Sequence, residues 1–416
     1  MQPFILYTQG NLIASIFEGF LNQLKIFFTV AEYNPFHNGH AYHLSAMREA
    51  GATHIAVVMS GNFVQRGEAA MFEKHCRARA AISGGADLVL ELPLPWSTAP
   101  AERFAAGACR LALATGVADG FSFGCENADL SLLTGAADAL LARQDEYRRN
   151  RENQSYPAFL AATLPQPLYE AVSQPNNILA VEYIRYLRQQ GFSGTLVPVQ
   201  RVHAAHDGDT TGGTFASAAL LRKKMLAGER CDSFLPPESA ALCRRAMESG
   251  AYIGARAEWE RQWLALLRTH DKAYFCSLPF ASGGLGDRLW RAVRTAQSLE
   301  AVYDAVKSKR FTHASVRRLT LHAVLGVTDD LVRADPPYLR VLARNDRGRE
   351  ILRAMRNKAS LPVVMRHADS RALDSFSQKV YALECAAADL YHTFTHRIFP
   401  CGADMTYSLY RDGEDV

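Results

Sequence analysis

The strongest constraint on the fold is a regular alternation of strand and helix patterns in the first third of the chain. Apolar, β-branched runs typical of buried strands lie at residues 25–31, 54–59, 87–92 and 120–123. Helical patterns separate them at residues 39–50, 73–82 and 101–114. Strands that alternate with helices pair in parallel, with helices on both faces of the sheet. The sequence therefore predicts an α/β fold with a Rossmann-like parallel sheet.

The pattern changes further along the chain. A helix near Asn176, a strand at residues 195–201 and a helix at 217–226 continue the alternation. Beyond Glu229 the periodicity is mostly helical. We predict three parts: an N-terminal extension at residues 1–24, a Rossmann-like domain at 25–228, and a mostly α-helical domain at 229–416.

Bulk composition narrows the class of protein. The chain is 48% hydrophobic and 21% charged, which is typical of a soluble globular protein. It lacks an apolar run long enough to span a membrane, and its start lacks the features of a secretory signal. The eight cysteines form no Cys-x-x-Cys pair, so we expect reduced thiols, no metal framework and a cytoplasmic location.

The segment Asn34-Pro35-Phe36-His37-Asn38-Gly39-His40 joins the first predicted strand to the first helix. Ligands of open α/β sheets bind at the carboxyl ends of the strands. A helix N-terminus offers free N–H groups and a positive dipole end to phosphate. Gly39 admits close approach because it has no Cβ, and two histidines can donate hydrogen bonds to phosphate oxygens.

This His-x-Gly-His string, in its strand–turn–helix setting, is the adenylyl-transfer signature of the nucleotidyltransferase superfamily. A related form occurs in class I aminoacyl-tRNA synthetases. The chain has no Gly-Lys-Ser/Thr after a glycine loop, so it is not a Walker P-loop protein. We expect ATP as a substrate, with Mg²⁺ accompanying the triphosphate.

Several other residues are candidates for the same site. Lys74 and Arg77 lie at the start of a helix, where the helix dipole is unfavourable for cations. A bound anion nearby, such as the triphosphate, would account for basic residues at this position. The alternative is that both side chains are solvated. Gly124 ends a strand and could admit an adenine or ribose edge, or simply form a tight turn. Asn176 could bind nucleotide or only cap its helix. Arg201 ends a strand and would point into the crevice.

Two polar segments leave alternatives open. Ser217 and Arg222 lie at a predicted helix start and are candidates for a second phosphate clamp. The histidines at 203 and 206, with the aspartate at 207, could form a metal site, although histidines in a polar loop are usually solvated. We predict no protein-bound metal.

A basic stretch marks the second half. Residues 307–358 contain 13 Lys or Arg and 5 Asp or Glu. Such a stretch can follow a phosphate backbone, but it can equally be a solvated helical surface.

Taken together, the motifs resemble one family, the tRNA(Met) cytidine acetate ligases. The strings that carry this resemblance are Val30-Ala31-Glu32-Tyr33-Asn34-Pro35-Phe36-His37-Asn38-Gly39-His40 with Tyr42-His43, Val58-Met59-Ser60-Gly61-Asn62-Phe63, Glu91-Leu92-Pro93, Phe123-Gly124 with Glu126-Asn127, and Pro175-Asn176-Asn177. The resemblance covers about residues 25 to 416. Its strings depart from the family at Leu220, where a second serine is usual.

The resemblance implies activation of acetate by ATP to acetyl-adenylate, then acetylation of N4 of the wobble cytidine in elongator tRNA(Met). It implies that His37 and His40 stabilise adenylyl transfer, with Lys74 and Arg77 on the phosphates and the basic helical half holding tRNA. The implied ATP contacts are Val30, Ala31, Glu32, Tyr33, Asn34, Pro35, Phe36, His37, Asn38, Gly39, His40, Ala41, Tyr42, His43, Gly124, Asn176, Arg201 and Val202. The alternatives are a small-molecule adenylyltransferase and a binding protein without catalysis. The sequence makes no prediction of oligomeric state.

Overall fold

The structure is a computed structural model of the 416-residue chain. It describes residues 24–143, 145, 156–172, 174–201, 213–308 and 310–411. Most of the predicted N-terminal extension, Val202 and the histidine-containing loop at 203–207 lie outside the described residues.

The strands belong to one large sheet and one small hairpin. They are β1 (Ile26–Ala31), β2 (His54–Ser60), β3 (Phe63–Val64), β4 (Glu68–Ala69), β5 (Leu88–Leu92), β6 (Gly120–Cys125), β7 (Thr195–Gln200), β8 (Leu339–Arg344), β9 (Val363–Val364) and β10 (Tyr410–Arg411).

The helices fall into two groups. Those interleaved with the first seven strands or following them directly are α1 (Asn38–Glu49), α2 (Lys74–Ser83), α3 (Ala101–Ala114), α4 (Leu130–Ala142), α5 (Tyr156–Thr163), α6 (Gln166–Val172), α7 (Pro175–Gln189) and α8 (Ala218–Leu226). Those of the second half are α9 (Pro237–Ser249), α10 (Arg256–Arg268), α11 (Lys272–Ser277), α12 (Leu285–Thr295), α13 (Leu299–Val306), α14 (His313–Leu325), α15 (Asp329–Arg333), α16 (Asp346–Met355), α17 (Ser375–Phe394) and α18 (Ala403–Thr406).

The large sheet has the order β10-β8-β5-β2-β1-β6-β7, with β9 also paired to β8. Neighbours from β5 to β7 are parallel. Successive side chains of β1 enter different cores: Phe28 packs with residues of α3 and α4, and Phe27 packs with residues of α1 and α2. This alternation buries both faces of the sheet under helices. The predicted α/β fold is confirmed.

The second half is mostly helical, as predicted, but it also contributes three strands that were not predicted. β8 pairs antiparallel with β5 and extends the sheet beyond the parallel core. The helix α4 was also missed. The division of the chain at residue 228 stays a prediction.

A second apolar core lies within the helical part of the chain. It is built around Trp263, Leu267, Leu289 and Val302, and it reaches the hairpin through Phe63. At Gly67 the hairpin passes so close to α14 that a Cβ would lie 2.5 Å from the backbone N of Arg318. The φ of Gly67 is +76°, so a side chain there would also be strained. The hairpin is thus held tightly against the helical part. Among the described residues, we find no helix both long enough and apolar enough to cross a membrane.

Candidate active site

The candidate site lies where β1 passes into α1. β1 is a central strand, paired in parallel with β2 on one side and β6 on the other. The carboxyl ends of these strands therefore meet at one edge of the sheet, where open α/β sheets bind their ligands. The N-terminus of α1 opens at this edge and brings the positive end of the helix dipole to it.

The two histidines of the His-x-Gly-His string cap α1 reciprocally. The N–H of Gly39 donates to Nδ1 of His37 at 3.1 Å, and the N–H of His37 donates to Nδ1 of His40 at 3.2 Å. A neutral imidazole whose Nδ1 accepts a hydrogen bond carries its proton on Nε2. The backbone therefore assigns the same tautomer to both rings and leaves two Nε2–H groups as donors.

Aromatic packing fixes the orientation of these rings. The rings of His37 and His40 stack with centroids 3.8 Å apart. The Tyr33 ring meets His40 edge-on at 4.8 Å, and the Phe36 ring lies 5.6 Å away. Tyr33 and Phe36 are buried, so they support the pair from the protein side. The donors are therefore pre-organised.

Gly39 lies against the His37 ring. A Cβ at this position would lie 2.9 Å from Cε1 of His37. Only a residue without a side chain allows the ring to fold back over the first turn of α1.

The electrostatic surroundings keep these imidazoles neutral. Burial, assisted by the positive charge of Arg201, lowers the pKa of His37 to about 4. Burial holds the pKa of His40 well below its usual value, with contributions from His37, His43 and Arg201. Neutral rings donate hydrogen bonds without needing a proton from solvent, and Arg201 supplies the permanent positive charge.

His43 lies one turn further along α1 and is anchored to the sheet. Its Nε2 lies 2.7 Å from Oγ of Ser122, and that hydroxyl donates to the carbonyl of Val197 at 2.9 Å. The hydroxyl proton is thus used, so His43 is the donor to Ser122. Burial, followed by the charge of Arg201, lowers the pKa of His43 to about 4. This chain ties α1 to β6 and β7.

On the β6–β7 side, the candidates Asn176 and Arg201 contact each other; their contact with nucleotide stays a prediction. Nη1 of Arg201 donates to Oδ1 of Asn176 at 3.0 Å, and the side-chain amide of Asn176 donates to Glu126. Gly124 lies beneath them, because a Cβ there would be 3.7 Å from Cγ of Arg201. Asn176 therefore orients the guanidinium that acts on the histidines.

Glu126, which was not among the predicted site residues, positions Asn176 and Asn177. Its carboxylate accepts the backbone N–H of Asn177 at 3.0 Å, and Oδ1 of Asn177 accepts the N–H of Glu126 at 2.8 Å. The N-terminus of α7 is thus occupied by a protein carboxylate. The only sequence signal was the place of Glu126 directly after β6.

On the other side of β1, Arg222 reaches the loop before α1. Its Nη1 donates to the carbonyl of Asn34 at 2.7 Å. Oγ of Ser217 accepts the N–H of Leu220 at 3.2 Å and so caps α8. Nδ2 of Asn38 donates to the carbonyls of Thr214 and Ser233, which holds the segments before and after α8 beside α1. A phosphate contact by Ser217 or Arg222 stays a prediction.

Lys74 is engaged by carboxylates of the protein itself. Its side chain is fully buried, and its Nζ lies 2.7 Å from Oε1 of Glu91 and 2.6 Å from Oδ2 of Asp404. Oε2 of Glu384 lies 3.6 Å away. An ammonium already surrounded by three carboxylates is a structural ion, and this geometry argues against the predicted contact with phosphate.

Arg77 is likewise committed within the protein. Its guanidinium is buried and donates to the carbonyls of Glu32, Ser60, Gly61 and Phe72. These contacts join the carboxyl ends of β1 and β2. The geometry therefore supports a role in building the site and argues against a role on the phosphates.

The remaining candidates line the same edge. Val30 and Ala31 end β1 and pair with Val58 and Met59 of β2. Pro35 is buried in the loop before α1, and Ala41 is half-buried on that helix. Tyr42 is exposed, and its ring packs edge-on against Phe215 with centroids 6.2 Å apart. Glu32 is half-buried directly after β1.

The arrangement combines a helix N-terminus, two fixed neutral donors and one cation around a common edge. Such a set can bind a polyphosphate and stabilise charge that develops on a transferring phosphoryl group.

Comparison with known proteins agrees with this geometry. The HIGH Nucleotidyl Transferase family matches residues 24–400. The chain is 36% identical to the tRNA(Met) cytidine acetate ligase of Syntrophotalea carbinolica, over 80% of this chain and 83% of that protein. It is 31% identical to the enzyme of the same name from Acetivibrio thermocellus, over 88% and 94%.

Solved structures give the same result. The crystal structure of Thermotoga maritima TmcAL bound with alpha-thio ATP superposes with a TM-score of 0.84 at 30% identity, covering 93% of this chain and all of that one. Its apo form superposes with a TM-score of 0.85. The chain therefore belongs to the HIGH Nucleotidyl Transferase family and groups with its tRNA(Met) cytidine acetate ligase members.

Proposed function

We propose that this chain is an ATP-dependent acetate ligase acting on tRNA. It forms acetyl-adenylate from acetate and ATP with release of pyrophosphate. It then transfers the acetyl group to N4 of the wobble cytidine of elongator tRNA(Met), which gives N4-acetylcytidine and AMP. The names of its relatives support this proposal, as does the alpha-thio ATP held by the Thermotoga protein.

The observation that carries the proposal is the shared tautomer of His37 and His40. In adenylate formation, an acetate oxygen attacks the α-phosphorus and negative charge spreads over the non-bridging oxygens. Two Nε2–H donors of fixed orientation stabilise that charge without reorganisation. Arg201, oriented by Asn176, adds a positive charge.

Magnesium would be held mainly by the nucleotide. Among the described residues, the one group of His, Cys, Asp or Glu with metal-like spacing is Glu300, Asp304 and His313, on α13 and α14. No such group surrounds His37 in the described part of the chain, so the residues present do not fit a protein-built metal site. Mg²⁺ commonly keeps several waters and binds through substrate phosphates.

Two surfaces that carry exposed basic residues differ in their position relative to the candidate site. Arg347, Arg349, Arg353, Arg356 and Lys358 are exposed on or just after α16. That helix begins at the amino edge of the sheet, where Glu350 contacts His54 and Asn345 contacts Asp87. The segment that follows the helix lies at the same edge, where the N–H of Ser360 donates to the carbonyl of Ala114.

By contrast, the exposed Arg66 and Lys223 lie on the hairpin loop and on α8, beside the candidate site. We propose that tRNA is held on this second surface, because the acetyl group is transferred at the carboxyl edge.

The direct test is incubation with ATP, acetate and a tRNA(Met) transcript, followed by nucleoside mass spectrometry. The proposal expects N4-acetylcytidine that depends on both small substrates. Absence of the product at saturating concentrations would contradict the proposal. Turnover that requires a phosphopantetheine or nicotinamide mononucleotide substrate in place of acetate would favour a small-molecule adenylyltransferase.

A further inference from the structure

Glu32 is a carboxylate with one oxygen fixed and one oxygen open. It directly follows β1 and is half-buried at the edge where α1 begins. Its Oε1 accepts the backbone N–H of Gln65 at 3.0 Å, from the loop between β3 and β4. In the described part of the chain, Oε2 accepts no hydrogen bond, and no cation lies within ion-pair distance of the carboxylate. The side chain is thus held in one orientation, while Oε2 remains available to accept a hydrogen bond or a proton.

Three guanidinium groups face Glu32 without neutralising it. Arg77 on α2 has its donors on backbone carbonyls, and Arg222 on α8 contacts the carbonyl of Asn34. Arg66 in the hairpin loop is exposed, and its charge acts on Glu32 from a distance. Burial raises the pKa of the Glu32 carboxyl, and the three arginines only partly oppose it. Glu68, on β4, acts on Arg222 and is itself paired with Arg317.

Glu32 also lies on the opposite side of β1 from three of the nucleotide candidates. Gly124, Asn176 and Arg201 are at the ends of β6, α7 and β7. Glu32 instead contacts the hairpin on the β2 side of β1. The groups that react with the nucleotide, the carboxylic acid and then the acceptor amine, would enter from this side.

His37, His40 and Glu126 already have their acceptor atoms engaged. His37 and His40 carry their protons on Nε2 and use Nδ1 for backbone N–H groups, so they can donate but not accept. Both carboxylate oxygens of Glu126 are used at the N-terminus of α7. Of the two carboxylates that directly follow β1 and β6, Glu32 and Glu126, only Glu32 keeps an oxygen without a hydrogen-bond partner among the described residues.

We propose that Glu32 is the catalytic base of the acetyl-transfer step, an inference that rests on the proposed function. The exocyclic N4 of cytidine attacks the acetyl carbon of acetyl-adenylate, and a C–N bond forms. The bond between that carbon and the phosphate oxygen breaks, and AMP leaves with its electron pair. The attacking nitrogen gives up one proton to Oε2 of Glu32, which later passes it to water. The exocyclic amine is a weak nucleophile, so removing its proton as the bond forms lowers the barrier.

The test separates the two half-reactions in the full-length protein. Glu32→Gln keeps the shape of the side chain and can still accept the N–H of Gln65. Because Glu32 is also an implied ATP contact, we expect the variant's acetate-dependent ATP–pyrophosphate exchange to fall by less than about 10-fold. Single-turnover transfer from synthetic acetyl-adenylate to a tRNA(Met) transcript falls by about 10²-fold or more.

The pH profile gives a second readout. The wild-type transfer rate falls at low pH because Glu32 becomes protonated. The transfer rate of Glu32→Gln does not show this fall at low pH. Glu32→Asp keeps a carboxylate and restores this fall in part. Glu68→Gln is the matched control, because it removes a neighbouring carboxylate that is already paired with Arg317. It leaves both half-reactions unchanged.

The outcomes distinguish this inference from the proposed function. Wild-type protein that makes no N4-acetylcytidine refutes the proposed function. Wild-type protein that makes the product, together with Glu32→Gln protein that transfers at the same rate, overturns the role of Glu32 alone. Loss of exchange in both Glu32→Gln and Glu32→Asp also overturns it, because Glu32 would then serve adenylate formation or folding.

Discussion

The His37 and His40 rings stack with centroids 3.8 Å apart, and each accepts a backbone N–H of the same turn through Nδ1. The capping of α1 and the proposed chemistry therefore use opposite sides of the same two rings. A change that disturbs the cap will also move the donors, and this coupling underlies the first prediction.

Gly39→Ala is expected to lower the rate of acetate-dependent ATP–pyrophosphate exchange by about 10- to 100-fold, because the new Cβ displaces the His37 ring. The matched control is Gly135→Ala in α4, where the nearest atom, Cδ2 of Leu168, is 3.4 Å away. Alanine there suits a helix interior and leaves exchange unchanged. Equal rates for the two variants would show that the His37 ring tolerates the displacement.

The protonation of His37 gives a prediction for pH dependence. Its pKa of about 4 lies below the ordinary value of 6.5. Between these pH values the unfolded chain binds a proton that the folded chain does not. The free energy of unfolding therefore falls as pH drops from about 6.5 towards about 4. NMR of the imidazole should show titration near 4, and binding of alpha-thio ATP should raise that pKa. Titration near 6.5 would mean that His37 is solvated.

Lys74→Ala tests whether the buried ammonium is structural. Removing it leaves Glu91, Glu384 and Asp404 close together without their shared cation. We expect the free energy of unfolding in urea to fall by about 3–5 kcal/mol. Lys379→Ala, which breaks an exposed pair with Asp330, is the control and should cost less than about 1 kcal/mol. A Lys74→Ala protein of normal stability that fails to bind ATP would restore the phosphate role.

The two basic surfaces predict different effects on tRNA binding. The double variant Arg66→Ala with Lys223→Ala should weaken binding several-fold and reduce the salt dependence by about one unit for each residue. Arg347→Ala with Arg353→Ala removes the same charge at the amino edge of the sheet and should leave binding unchanged. If the second pair weakened binding more than the first, tRNA would approach from the opposite edge.

The sequence predicted those parts of the fold that depend on local pattern. The strand, loop and helix around His37 were predicted to within about a residue or two, because β-branched runs and helical periodicity are local signals. β8 was missed because its pairing with β5 joins residues far apart in the chain, at Leu88 and Arg344. A sequence pattern alone does not reveal such a partner.

For the candidate site as well, contacts between sequence neighbours could be predicted and contacts between distant residues could not. His37, Gly39 and His40 are neighbours in sequence, and their mutual contacts follow from one helical turn. Lys74 was predicted on the phosphates from its place at a helix start, and its partner Asp404, 330 residues away, gave no local signal. A cation at a helix start can face an anion of the substrate or of the protein, and only the tertiary structure distinguishes these cases.

The most direct test of the central claim is acetate-dependent ATP–pyrophosphate exchange by His40→Ala, measured beside His396→Ala. His396 is an exposed histidine paired with Glu258, so its loss should leave exchange at the wild-type rate. Loss of one fixed transition-state donor at His40 should lower exchange by about 10²- to 10³-fold. Exchange by a folded His40→Ala protein at the wild-type rate would contradict the assignment of this histidine pair to the phosphates.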